Sequence, residues 1–253
     1  MDYLSRKKAL IEFISEKHSA RLQEIADHCA VSPMTIRRDL VMLEDQGFLT
    51  INRGVVYLNS GTTLELSSTL KNNQMLKEKK RIAKRAFSFV SEGSTIFLDC
   101  GTTIRELVYE IIQMKNITVV TNSLLVINIL SNFPNITCLI ASGTFNRKGM
   151  GFFDATTCSY LRHINVDTAF LGLEAADPEI GCMVPGIDDA ECKKVICQNA
   201  AKIIVLTDSS KLGKRSLVCY GNFDQIDMLI TDKKCSTEFT ESISKKKTEI
   251  IIS

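Results

Sequence analysis

Nine consecutive residues, Ser32-Pro33-Met34-Thr35-Ile36-Arg37-Arg38-Asp39-Leu40, constrain this chain more than any other stretch. The Ser32 hydroxyl can cap a helix, and Pro33 suits a first turn whose amide has no intrahelical acceptor. Ile36, Leu40 and Leu43 then recur at helical spacing. That turns them inward and leaves Thr35, Arg37 and Arg38 largely outward. A capped start beside two outward arginines has the make-up of a helix that reads DNA. Upstream, Ala9, Leu10, Phe13 and Ile14 predict a first helix over 5–17, and Leu22, Ile25 and Ala26 a second over 21–29. Gly47 can end the third helix in a left-handed conformation. Phe48–Ile51 and Val55–Leu58 then alternate around Asn52-Arg53-Gly54 and predict a two-stranded wing.

Charge does not announce that role by itself. The 253-residue chain carries a formal net charge of only +2, and residues 1–57 hold eight Lys/Arg against eight Asp/Glu. Arrangement must therefore carry the electrostatics, through one basic face on a balanced domain. With 45% hydrophobic and 24% charged residues, the chain reads as globular, with room for a small domain and a larger one. It has no apolar stretch long enough to span a membrane and no signal-peptide core near residue 1, so a cytoplasmic location is expected. The nine cysteines include no Cys-x-x-Cys pair, and His18, His28 and His163 do not extend them into zinc-site spacing. They are expected as small apolar thiols in a reducing compartment, with no metal.

In a major groove, Ser32, Met34 and Thr35 would stand near the leading end of the third helix. Arg37 would reach a base edge or a phosphate, Arg38 a phosphate, and Arg53 the neighbouring backbone or minor groove. Two roles stand for Asp39: orienting an arginine through a salt bridge, or a plain surface carboxylate. Leu22-x-x-Ile25-Ala26, Val31-Ser32-x-x-Thr35-Ile36-Arg37-Arg38-Asp39-Leu40 and Leu43-Glu44-x-x-Gly47 together resemble the winged helix-turn-helix of DeoR-type transcriptional repressors. The wing departs from the family's usual His-Gly-Gly-Ala ending, with Arg53-Gly54-Val55-Val56 in its place.

After a Ser-, Thr- and Asn-rich stretch over 59–74, read as a linker with helical character around 64–70, the pattern changes. A helix is predicted over 75–90, and short apolar strands then alternate with helices. The strands are Thr95–Leu98, Thr118–Val120, Thr137–Ile140, Thr168–Leu171, Ile203–Leu206, Met228–Ile230 and Glu249–Ile252. That alternation predicts an α/β domain around a largely parallel sheet. Three small-polar turns follow strands. In Asp99-Cys100-Gly101-Thr102-Thr103 a glycine permits a tight turn into a helix whose amides and hydroxyls can hold an anion. Thr121-Asn122-Ser123 and Ser142-Gly143-Thr144 repeat the chemistry. Either the three converge on a phosphorylated ligand in one crevice, or each only caps its helix. Lys193 and Lys211 could neutralise a phosphate, while Asp167 and Glu191 accept hydrogens from sugar hydroxyls. Lys193 has an alternative as a helix-surface residue. Neither Gly-x-Gly-x-x-Gly nor Gly-x-x-x-x-Gly-Lys-Ser/Thr occurs, so no nucleotide cofactor is expected.

This half, too, resembles the family, whose C-terminal domain senses sugar phosphates. The resemblance rests on Ile82-Ala83, Ile96-x-Leu98-Asp99-x-Gly101-Thr102-Thr103, Val119-Val120-Thr121-Asn122-Ser123, Asp167-x-Ala169-Phe170-x-Gly172, Ala190-Glu191-x-Lys193 and Asp208-Ser209-Ser210-Lys211. It implies a ribose-5-phosphate-isomerase-like fold and carries ligand roles onto Asp99, Gly101, Thr102, Thr103, Thr121, Lys193 and Lys211. The expected architecture is a winged helix-turn-helix over 1–58, a linker over 59–74 and an α/β effector domain over 75–253. The expected protein is a repressor of carbohydrate genes that binds double-stranded operator DNA as a homodimer or homotetramer and responds to a phosphorylated sugar. The rivals are a sugar-phosphate isomerase using Asp99, Asp167, Glu191 and Lys211 as acid–base groups, and a DNA-binding scaffold without a ligand.

Overall fold

In the computed structural model, residues 3–17, 19–45, 49–58 and 75–253 are described. The chain divides into two compact units, Met1–Leu70 and Lys71–Ser253. The expected helix stop at Gly47, the start of the wing at Phe48 and the 59–74 linker with its helical 64–70 stretch lie outside the described residues.

The smaller unit runs α1 (Tyr3–Lys17), β1 (Ser19–Arg21), α2 (Leu22–Cys29), α3 (Pro33–Asp45), β2 (Leu49–Asn52) and β3 (Val55–Leu58). Leu10, Ile11 and Ile14 from α1, Ile25 and Ala26 from α2, and Ile36, Leu40 and Leu43 from α3 meet in one core with Leu49 and Val56. Burial of these apolar stripes is the main force holding three short helices together. The wing carries one strand more than the sequence pattern shows, because β1 pairs antiparallel with β3 in a sheet of order β1-β3-β2. Three residues are too few to display a period of two, and Ser19–Arg21 becomes a strand only because β3 offers it a partner.

The larger unit begins with α4 (Leu76–Phe87). It continues through β4 (Thr95–Leu98), α5 (Thr102–Ile111), β5 (Thr118–Thr121), α6 (Leu124–Leu130), β6 (Thr137–Ile140), β7 (Phe145–Asn146), β8 (Gly151–Phe152) and α7 (Ala155–Leu161). Then follow β9 (Val166–Leu171), β10 (Ala175–Asp177), β11 (Gly181–Val184), α8 (Ile187–Asn199), β12 (Ala200–Leu206), β13 (Val218–Gly221), β14 (Met228–Thr231), α9 (Thr237–Ile243) and β15 (Glu249–Ile252). Seven strands form one sheet of order β15-β14-β12-β9-β4-β5-β6, parallel throughout. Alternate residues face opposite layers. Ile96, Leu98, Val119, Phe170, Ile204, Leu206 and Ile230 join Ile82 of α4 and Leu107 and Ile111 of α5 on one side. Phe97, Val120, Ala169, Leu171, Ile203, Val205 and Leu229 join Leu161 of α7, Ile196 of α8 and Phe239 of α9 on the other.

From β4 the chain winds outward through β5 and β6. β9 then returns to the other flank of β4, and the winding continues the opposite way through β12, β14 and β15. The order therefore reverses between β4 and β9, and in open parallel sheets the crevice at such a reversal is where ligands bind. The sequence pattern does not predict the short antiparallel sheet β10-β11-β13 or the β7–β8 hairpin. They fall outside the strand–helix alternation by which the equally short strands of the parallel sheet are read.

Candidate functional sites

In the smaller unit, Ser32 caps α3 as the sequence suggests. Its Oγ accepts from the Thr35 amide at 3.3 Å and lies 2.9 Å from the Thr35 hydroxyl. Met34, Arg37 and Arg38 are exposed, Met34 to 75%. An exposed thioether on the leading turn of a capped helix has no packing purpose within the unit, and it matches the apolar methyl that thymine presents in a major groove. Asp39 is buried and takes Arg6 of α1 at 2.7 and 3.3 Å. It does hold an arginine, but that arginine belongs to α1, so the pair fastens α3 to α1 and leaves Arg37 and Arg38 outside the contact. The α2–α3 turn is closed by Ala30 in the left-handed region (φ 52°), with the Val31 amide donating to the Ala26 carbonyl at 3.1 Å.

Arg53 and Gly54 make the two-residue wing tip, with φ of 49° and 78°. Two positive φ values suit the twist of a hairpin, but Arg is a poor occupant of the first. Asn in its place is expected to stabilise the isolated unit by about 0.5–1 kcal/mol and to weaken its hold on DNA. A thermal melt beside a DNA titration checks this; a variant no more stable than the parent would show that Arg53 carries no strain.

In the larger unit, the reversal between β4 and β9 is closed by Asp99. Its amide donates to the Phe170 carbonyl at 3.2 Å, and its Oδ2 accepts from the Gly172 amide at 2.7 Å. Lys193 of α8 donates a short hydrogen bond to the same Oδ2 and lies 3.1 Å from Asp189, one helical turn before it. Asp99 is 1% and Lys193 4% exposed. Burial works against the ammonium charge, but Asp189 and then Asp99 outweigh it, so Lys193 is held protonated with its pKa well above the ordinary value. The Tyr220 ring lies 5.6 Å from its nitrogen, and the Tyr220 hydroxyl donates to the Gly172 carbonyl at 3.1 Å. Burial pushes the Cys100 thiol well up, so it is no ready nucleophile.

Directly after Asp99, Gly101 (φ 134°) opens α5 without a side-chain cap. Among the described helices of this unit, α5 alone lacks both a side-chain cap and an acidic residue in its first turn. Its leading amides have no side-chain cap, and Thr102 and Thr103 beside them are buried; an uncapped helix start with hydroxyls has the chemistry of an anion receptor. Lys193 offsets one of the two charges of Asp99 and Asp189 and so reduces the repulsion that an anion at this helix start would meet.

The other two turns differ from the first. The Thr121 hydroxyl donates to the Leu98 carbonyl at 2.6 Å and accepts from the Ser123 amide at 3.0 Å, which ties β5 to β4. Asn122 donates to the Phe152 carbonyl at 3.1 Å and faces the Cys100 thiol. At the start of α6, the Leu124 amide donates to Met150 and the Val126 amide to Ser123 Oγ. In the third turn, the Thr144 amide and hydroxyl both donate to Asp154 Oδ2 at 2.8 Å. Amides and hydroxyls of Thr157 and Thr144 hold the Asp154 carboxyl at a pKa of about 2. A Cβ on Gly143 would stand 2.6 Å from the same carboxylate, so this glycine serves close packing. Of the three turns read as equivalent, one is open and two are closed by their own neighbours.

Two expected ligand residues stand elsewhere. Asp167 is the second residue of β9, about 16 Å of strand before Gly172 at ~3.3 Å per residue. It accepts from the Thr95 amide at 2.8 Å at the amino end of the sheet. Glu191 lies on the solvent face of α8 and pairs with Lys194 at 2.8 Å, while Lys193 turns inward. Lys211 follows β12 at the carboxyl edge, where it meets Glu174 at 2.5 Å. Sequence reasoning missed Asp189, Tyr220, Glu174 and Gly151. Only Asp189 carried a usable signal, its four-residue spacing to Lys193.

Gly151 brings the β7–β8 hairpin onto the carboxyl ends of β4 and β5. The Phe152 amide donates to the Asn122 carbonyl at 2.9 Å. A Cβ here would run into the Cys100 sulfur and stand 3.0 Å from the Asn122 carbonyl oxygen. Gly151→Ala is accordingly expected to cost about 1–3 kcal/mol by overpacking, read from urea denaturation; an unchanged midpoint would mean that the hairpin yields without cost.

Residues 6–62 match the DeoR-like helix-turn-helix domain, and residues 74–233 match the DeoR C-terminal sensor domain. The chain belongs to the DeoR family. The HTH-type transcriptional regulator GlpR of Haloferax volcanii is 33% identical over 94% of this chain and 93% of its own length. The Glycerol-3-phosphate regulon repressor of Escherichia coli K12 is 27% identical over 92% of each chain. The HTH-type transcriptional regulator IolR of Bacillus subtilis is 28% identical over 94% of each. A ribose 5-phosphate isomerase A from Methanocaldococcus jannaschii is 20% identical over 55% of each chain, with a TM-score of 0.41, a likeness too distant to bear on activity or ligand. Among the described residues of this DeoR-family protein, no helix is long and apolar enough to cross a membrane.

Proposed function

We propose that this DeoR-family protein is a sequence-specific transcriptional repressor of carbohydrate genes whose hold on its operator is set by a phosphorylated sugar or polyol. The observation that carries the reading is the uncapped start of α5 beside the Asp99–Lys193–Asp189 cluster, in a chain that also presents a capped, arginine-bearing helix. The phosphate sits on the α5 amides with the Thr102 and Thr103 hydroxyls, and the carboxylates of Asp99 and Asp189 take hydroxyl hydrogens of the sugar. On the DNA side, Arg37 reads a base edge, Arg38 and Arg53 hold phosphates, and Met34 packs on a thymine methyl. Two copies align two α3 helices on a palindromic operator. A relative that carries glycerol-3-phosphate in its name supports a small phosphorylated effector.

The protein is not an isomerase in this reading. Of the four acid–base groups that such a reaction would use, Asp167 and Glu191 lie away from Asp99, and Lys211 is engaged by Glu174. The effector acts only through unequal affinity for the DNA-competent and DNA-incompetent states. Titrating the full chain on its operator with a panel of sugar and polyol phosphates is expected to release DNA at one of them. Saturable ligand binding with operator affinity unchanged across the panel would sink the switch, and turnover of any panel member would favour the enzyme.

A further inference from the structure

The most basic element of the chain is in the larger unit. Residues 76–85, Leu-Lys-Glu-Lys-Lys-Arg-Ile-Ala-Lys-Arg, hold six cations against one carboxylate. That local +5 exceeds the +2 of the whole chain, while residues 1–57 are balanced at eight against eight. Lys77, Lys80, Arg81, Lys84 and Arg85 are all exposed. At about 100° per residue they fall within an arc of roughly 140° on α4, opposite the buried Ile82, Ala83 and Ala86.

The neighbouring carboxylates do not neutralise this face. Glu78 pairs with Lys234 at 3.0 Å and sits 3.9 Å from Arg81, so it brings a further lysine to the edge. On α5, Glu106 is buried and held by Arg105 at 2.6 Å, and Glu110 stands with Tyr109 across a shallow hollow from Lys80. Arg85 and Lys202 lie against the Phe89 ring at 5.5 and 4.9 Å, which extends the cationic face along the helix flank. From Lys77 to Lys84 the helix rises about 10 Å, a span that meets roughly three phosphates of one strand at ~3.4 Å each along the axis.

We infer that the solvent face of α4 is a sequence-independent docking surface for the phosphate backbone of double-stranded DNA, with Lys77, Lys80 and Lys84 as its core. It rests on the DNA-binding reading and adds a division of labour. The arginine-bearing α3 discriminates bases from a charge-balanced unit, and α4 adds counterion-releasing affinity to the few phosphate contacts of Arg38 and Arg53. The lysines suit this task, because a mobile ammonium meets a phosphate as a point charge and demands no base geometry.

The test measures binding of the full chain to a random-sequence 30-bp duplex across a potassium chloride series. For Lys77→Gln/Lys80→Gln/Lys84→Gln, the slope of log affinity against log salt is expected to fall by about 2–3, near 0.9 for each phosphate no longer neutralised. Affinity at low salt should fall at least tenfold. The Lys→Arg triple at the same positions should keep the parent slope, and equal melting temperatures establish that all three proteins are folded. A glutamine triple with the parent slope overturns the assignment while leaving the repressor reading in place. A parent chain that binds no duplex at low salt defeats both. Loss of binding to phosphatidylserine vesicles with the duplex slope unchanged would give the face to a membrane surface and overturn the proposal equally.

Discussion

Lys193→Met is expected to destabilise the larger unit by about 3–5 kcal/mol, because it strands the buried Asp99 beside a second carboxylate, the partly buried Asp189. The lysine is 4% exposed and contacts both carboxylates, and Asp99 also closes the junction of β4 and β9 through the Gly172 amide. Urea denaturation checks the magnitude. Lys193→Met combined with Asp99→Asn and Asp189→Asn should recover most of the loss, since it removes the buried charges together. It should still bind a phosphorylated sugar more weakly, because the two carboxylates that take the sugar hydroxyl hydrogens have gone. Recovery of both stability and binding would reduce the cluster to a structural filler. The dependence on pH has a definite sign. The folded state holds the Lys193 pKa above the ordinary 10.5, so its stabilisation is full below that value and is lost only as pH rises through the higher folded one. Stability of the parent between pH 6 and 9 should therefore not move on account of Lys193, and a loss of parent stability across that window that the triple variant does not share would contradict the arrangement.

Arg37→Ala should act on the other unit alone. Arg37 is exposed on the flank of α3, about 100° round the helix from Ile36, so its removal leaves the core and the Arg6–Asp39 pair intact. Removing a base-reading side chain is expected to cost about 1–3 kcal/mol of discrimination at one base pair of each half-site, roughly 5- to 150-fold in affinity. Arg38→Ala should weaken binding to all sequences alike, as removal of a phosphate-holding side chain does. Selection of preferred sites from a randomised duplex separates the two. If the preferred site of Arg37→Ala is as sharp as that of the parent, Arg37 reads no base.

Much of the architecture was open to inspection in the residues. The α3 cap at Ser32, its inward Ile36, Leu40 and Leu43, and all seven strands of the parallel sheet follow from spacing and from local cap and turn chemistry, and both are short-range properties. Strands β1, β10, β11 and β13 did not, since they fall outside the strand–helix alternation that marks the equally short parallel strands, and each exists by virtue of the partner it finds. The candidate ligand site divides in the same way. Gly101, Thr102 and Thr103 could be chosen from their order in the chain, and so could the lysine that answers Asp99. Asp167 and Glu191 could not be rejected, because residue type says nothing of which end of a strand or which face of a helix a carboxylate occupies.

The capped α3, the seven parallel strands and the family are all written in patterns a few residues long and can be read without coordinates. Packing alone reveals that one strand-end turn stays uncapped while Asp154 and Ser123 close the other two, and that Lys193 is the buried counter-charge of Asp99 and Asp189. Each of those depends on groups far apart in the chain, 94 positions for Asp99 and Lys193, and on the dry environment that burial gives them. Charge pairing and donor availability are properties of the space around an atom, and that space is made by the packing of the sheet against α8 and the β7–β8 hairpin.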